Sequence, residues 1–243
     1  VVAPDFVSIP LARAAFEGHR DERHAQANYI AKLSSTYENV DDVVAIFRPG
    51  MAGDALLEPD NWAVFQAWFK GIDSDEARYF IAHRDAFIEK YGAIHVQAKL
   101  LQIYMTSMER AVSKQDTAKF QAAHQGLLTS GHPEAEKMAL FQELEWYQAT
   151  GEWAKFIATA LEVDAKAPDL RPVGLDRLAS MFLIGATEEK ELLKALEWSR
   201  RACAAEPSYF FLDTQFQLLA KLGRKTEAIA IGHYWAPQAG AFP

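Results

Sequence analysis

From residue 96 to 108 the apolar side chains fall at Val96, Leu100, Ile103, Tyr104 and Met108, spaced by three and four. The same spacing links Leu192, Ala195, Leu196, Ser199, Ala202 and Cys203. On a 3.6-residue helix such positions share one side, so both stretches read as amphipathic helices with a core-facing stripe. Alternating runs of Val, Ile or Thr last only a few residues, and Asn-Gly and Asp-Gly hairpin turns are absent from the sequence. Gly and Pro punctuate the chain at "RPGMAG" (48–53), "EPD" (58–60), Gly92, "SGHPE" (130–134), Gly151, "APDLRPVG" (167–174), Gly185, "EPS" (206–208) and Gly223. The intervals have ordinary helix lengths and predict about twelve helices and no sheet. Several helix starts carry their own caps. Asp60 precedes "NWAVFQAWF", Asp116 precedes "TAKFQAAH", and "SDEARYF" puts Ser74 and two acids where the helix dipole favours them. Pro133 suits a first helical turn, where its missing N–H costs nothing.

The segments "QDTAKF" (115–120) and "GEWAKF" (151–156) lie 36 residues apart. Gly151, Gly185 and Gly223 follow at intervals of 34 and 38, and a small residue sits early in each following helix: Ala154, Ala195 and Ala228. A period near 34 built from two helices is the mark of tetratricopeptide (TPR) stacking. In "ALEWSRRACAAEP" the residues Ala195, Ala202 and Pro207 are separated by seven and five, as in the second helix and closing proline of such a repeat. "LDTQFQLLAKLGRKTEAIAIG" supplies the next pair, with Leu222-Gly223 at its turn. The expected fold is all-α, with stacked antiparallel helix pairs forming a TPR-like α/α superhelix. An irregular helical part (1–92) precedes the repeats (93–243) in one continuous domain. On this phasing Gly151 closes a helix, Ala154 is the point of close helix contact, Phe156 fills the layer, and Glu152 and Lys155 are solvated.

Composition narrows the function classes. Half of the residues are hydrophobic and 24% are charged, ordinary globular values that leave no room for extensive disorder. The formal charge is 25 − 33 = −8, and the basic residues alternate with acids, as in "HRDERH". Nucleic acid and anionic membrane surfaces, which call for a basic stripe, are poor partners for such a chain. No run approaches the roughly 18 apolar residues of a membrane span. "VVAPDFVSIP" lacks the basic n-region and long apolar core of a signal peptide. Cys203 is the single cysteine, so an intramolecular disulfide, a CxxC pair and a multi-cysteine zinc site are all excluded.

Candidate chemistry is sparse. His19 and His24 flank "RDER" five apart, a spacing that does not share a helical face. His83 lies in "HRD", but the glycine-rich loop and DFG that would make a kinase site are missing. His95, His124, His132 and His233 have no partner at diagnostic spacing. Cys203 lies on an apolar face near a helix C-terminus, where the dipole raises a thiol pKa, and reads as a core thiol. The acids of "DSDEARYF", "DDVV" and "TEEKELL" read as caps and solvated faces. Trp62, Trp68, Trp146, Trp153, Trp198 and Trp235 have two readings, packing between hairpins or the lining of a concave peptide groove. No catalytic, cofactor-binding or metal-ligating residue is assigned, and no cofactor is expected.

Three stretches carry a family resemblance: "YIAKLSSTYENVDDVVAIF" (29–47), "LLEPDNWAVFQAWFKGIDSDEARYFIAHRDAFIEKYG" (56–92) and "EPSYFFLDTQFQLLAKLGRKTEAI" (206–229). Together they resemble the C-terminal helical region of bacterial thioredoxin-like proteins, chiefly from Bacteroidetes and often labelled thiol-disulfide isomerases. In that family a thioredoxin domain with a CxxC motif precedes the helices. This chain has no CxxC, so no redox residue carries over. The resemblance implies a non-catalytic accessory region, or a relative that lost or never had the thioredoxin domain, and a parent protein that is periplasmic or otherwise exported. Its partner would be a protein or peptide, or its own thioredoxin domain. The alternatives are a region that shapes substrate access for a thiol-disulfide oxidoreductase, a hydrolase with an unrecognised carboxylate cleft, or an oligomerisation element.

Overall fold

The computed structural model describes residues 9–19, 22–35, 39–68 and 71–239. Among these residues there are fourteen α-helices, two short 3-10 turns and no strand. The chain divides into two compact units, 1–135 and 136–243. This boundary differs from the 92/93 division read from the sequence, because α6 and α8 both pack on α7 (Ala93–Lys114).

The first unit holds α1 (Ile9–Gly18), α2 (Arg23–Ser34), α3 (Asp41–Phe47), α4 (Pro59–Ala67), α5 (Asp75–Ala82), α6 (Arg84–Tyr91), α7 and α8 (Thr117–Leu128). An aromatic cluster fills its centre. The Trp62 ring lies 5.5 Å from Phe80, 5.2 Å from Phe87 and 4.9 Å from Tyr91, centroid to centroid. Asn61, beside Trp62, is buried and does different work. Its amide donates to the carbonyls of Gly50 (2.9 Å) and Ala55 (2.6 Å), pinning the 3-10 turns at Arg48–Gly50 and Gly53–Leu57, and its oxygen accepts from Arg23. Ser74 caps α5 by accepting from the Ala77 N–H, and Asp116 caps α8 by accepting from Lys119. Asp60 lies instead in the first turn of α4, whose N-cap is Glu58, and Pro133 lies in the turn before α9.

The second unit holds α9 (Ala135–Thr150, counted here from Glu136), α10 (Trp153–Lys166), α11 (Pro172–Gly185), α12 (Glu189–Ala205), α13 (Tyr209–Lys221) and α14 (Lys225–Ala239). Each helix from α10 to α13 packs on the next, and α11 also packs on α13. The helix starts at Trp153, Glu189 and Lys225 are 36 residues apart, and burial repeats at the same interval. Phe156, Leu192 and Ala228 are buried, as are Leu175 and Phe211, Leu178 and Thr214, and Phe182 and Leu218. The period is therefore 36, slightly longer than the 34 expected.

"GEWAKF" and "QDTAKF" are matching junctions, with one correction. Gly151 (φ 72°) and Gln115 (φ 52°) both take the left-handed conformation that ends a helix. In each case the next N–H reaches back five residues at 2.9 Å, from Glu152 to the Tyr147 carbonyl and from Asp116 to that of Ala111. Gly223 and Arg224 repeat the arrangement on Leu219. Phe156 and Phe120 are buried as expected, but Ala154 and Ala118 are exposed. The contact face starts two residues later, so Ala195 and Ala228 mark close approach and Ala154 does not. Gly185 also departs from the pattern. It closes no left-handed turn, and a side chain there would strike the Trp153 ring.

Replacing Ala195, which is fully buried, with Trp should destabilise the protein by about 1–3 kcal/mol through overpacking. The same change at exposed Ala154 should leave the urea midpoint nearly unmoved. Equal midpoint shifts for the two variants would contradict the phase assigned here.

Candidate functional site

In the second unit a concavity lies between α9, α10 and α11. It is a cleft of about 390 Å³. Phe141 and Leu144 of α9, Phe156 of α10, and Leu178 and Met181 of α11 supply an apolar floor, which Leu170 of the 167–171 link completes. Phe156, Leu144 and Leu178 are buried because they also belong to the core beneath. Helix spacing explains the lining: Phe141, Leu144, Glu145 and Gln148 recur by three and four on α9, as Gly174, Arg177, Leu178 and Met181 do on α11. Pro172 starts α11 at its first position, and Val173 stands 64% exposed at the lip.

The rim is charged. Arg177 of α11 pairs with Glu145 of α9, a solvent-exposed ion pair that adds little stability. Lys137, Asp169 and Arg171 stand on the same rim. Arg171 and Asp169 are exposed and have no ion-pair partner among the described residues. The cleft thus joins an apolar trough to a few polar groups, a composition common among ligand pockets.

Residues considered from sequence fall elsewhere. Trp62, Trp68, Trp146 and Trp198 are buried, Trp153 is half-buried, and none lines the cleft. The side chains of Trp235 and His233 lie outside the described residues. His19 faces Glu22 at 3.0 Å and His24 faces Asp60 at 2.8 Å, both on the surface. His83 stacks on Tyr79 and is exposed, as is His95. Among the described residues no group of three His, Cys, Asp or Glu side chains could hold a metal ion, and no helix is long and apolar enough to cross a membrane. Cys203 is half-buried, and burial, reinforced by the Asp176 carboxylate, pushes its thiol up. The acids are largely engaged: Glu76 takes two hydrogen bonds from Arg48 (2.5 and 3.1 Å), and Glu188 and Glu191 close a capping box on α12.

Two features were missed from sequence. Phe141, Arg177 and Met181 become a site only when two helices meet. Lys99, on the buried side of α7, is 4% exposed. Its ammonium donates to the Gln66 carbonyl at 3.2 Å and to Gln102 at 2.9 Å, and it lies 4.8 Å from the Phe65 ring. It therefore satisfies a carbonyl at the C-terminal end of α4, where a cation suits the helix dipole. Its position in the apolar stripe, at the turn of Val96 and Ile103, was the signal available.

Comparison with family models, with curated proteins and with solved structures found no match.

Burial pushes the Lys99 ammonium down to about 7. Above that pH and below the ordinary lysine value, the unfolded chain binds more protons than the folded one. Stability contributed at this site therefore rises with pH through that window, and its cost is fully present below about 7. Lys99→Met should be most favourable relative to wild type at about pH 6 and lose that advantage by about pH 10, near the ordinary lysine pKa. Urea unfolding at the two pH values measures the gap, and a gap that does not change would contradict this assignment.

Proposed function

We propose that the chain is a non-catalytic helical-repeat interaction module whose α9–α11 cleft holds a segment of a partner protein or peptide. The carrying observation is the cleft itself: an apolar floor of Phe141, Leu144, Phe156, Leu178 and Met181 beneath a rim of both charge signs. Apolar side chains of the partner enter the trough, and Arg171, Asp169 and the Arg177–Glu145 pair meet its polar groups. The likeness to the helical region of thioredoxin-like proteins supports a finer reading. In it the chain is the accessory region of an exported, periplasmic disulfide isomerase and presents partners to, or docks on, that protein's thioredoxin domain. The chain's net charge of −8 favours protein over nucleic acid as the ligand.

Random-peptide display against the whole chain tests the proposal. Enriched peptides should lose at least about tenfold in affinity, about 1.4 kcal/mol, for Met181→Glu, which places a charge on the trough floor. Leu161→Glu, on an exposed position of α10 outside the lining, should bind them like wild type. Failure to enrich any peptide, or equal binding by Met181→Glu in a form that melts like wild type, would defeat it.

A further inference from the structure

Asp176 lies on α11 where α12 and α13 both pack against that helix. Its Oδ1 is sealed from solvent and has no hydrogen-bond partner among the described residues. Of the groups around it, the Thr214 hydroxyl alone favours an ionised carboxylate. From α13 come the carboxyl of Asp213 and the hydroxyl of Thr214, and Thr214 already donates to the Phe210 carbonyl at 3.3 Å. From α12 comes the thiol of Cys203, itself close to Ser199. Three cations of α11 and α12 are engaged elsewhere. Arg177, the next residue on α11, pairs with Glu145 of α9. Lys194 and Arg201 of α12 pair with Asp164 of α10 at 2.9 and 2.7 Å. Asp164 and Asp176 are thus two acids packed against α12, one neutralised by two cations and the other left without one.

We propose that Asp176 is a proton-controlled latch: as a neutral acid it lets α13 and α14 seat on α11 and α12, and as an anion it loosens that C-terminal hairpin. A neutral carboxyl can be sealed at modest cost, whereas an anion with a dry, unpartnered oxygen beside a second carboxylate is expensive. Burial pushes the Asp176 carboxyl above its ordinary value; Thr214 opposes the rise and Asp213 adds to it. The folded state therefore holds its proton to higher pH than the unfolded chain does. The stability contributed by the protonated form is complete below the ordinary Asp pKa and is lost as pH rises through the raised one. The residues released would be the buried Phe211, Thr214 and Leu218 of α13, which uncovers the side of α11 that α13 packs on.

The test is amide hydrogen exchange of the full chain, corrected for intrinsic rates, at about pH 3.5 and about pH 8, which bracket the ordinary Asp value of about 3.9. Protection of α13 and α14 in wild type should fall between them. Asp176→Asn, a permanent mimic of the neutral acid, should abolish that fall, and Asp213→Asn should reduce it. A fall that persists unchanged in Asp176→Asn, or no fall in wild type, overturns the latch. Carbon-13 titration of the Asp176 carboxyl in wild type needs no variant. An apparent pKa above about 3.9 supports the proposal, and an ordinary or lower value overturns it.

Discussion

A helical hairpin has two flanks and buries only one of them by closing on itself, so each hairpin depends on the next. That dependence organises the second unit. Leu175 and Phe211, or Phe182 and Leu218, occupy equivalent places because each must present an apolar group to the same kind of neighbour. The left-handed turns at Gly151 and Gly223 serve the same end, since the hydrogen bond reaching back five residues fixes where the following helix starts. Once the start is fixed, the inward face follows from helix geometry, and so does the outward face that lines the cleft.

The first unit meets a different demand. Its short helices α3 to α6 cannot stack regularly, and the links between them must be held by side chains. Asn61 ties the backbone at Gly50 and Ala55, while Arg48 reaches the buried Glu76. Such contacts satisfy buried polar groups at specific places, which is what an irregular chain path requires. The aromatic cluster around Trp62 then supplies the apolar area that short helices lack individually.

Helix content and the repeat were legible in the sequence because both rest on local spacing. The stripe of Leu192, Ala195, Leu196 and Ala202 reads directly, and Ser74 and Asp116 cap as their types suggest. Ala154 misled because small size alone does not distinguish a tight contact from an open surface. Phe156, two residues on, was the better guide, since a large apolar side chain is costly to leave in water. The cleft was illegible for another reason. Phe141 and Met181 lie 40 residues apart, and only the packing of α9 beside α11 makes them neighbours. Lys99 and Asp176 were equally hidden, since a charged residue in an apolar stripe discloses its partners only in three dimensions.

The equal spacing of the helix starts at Trp153, Glu189 and Lys225 also makes the second unit divisible. Removing the block from 153 to 188 would join the Gly151 turn directly to the α12 helix, so one junction of the series replaces another without a change of register. The second unit could thus change length by a whole 36-residue hairpin while the junctions keep their register. Each step would carry its own stretch of outward surface, so the area of that surface and the length of the scaffold change together.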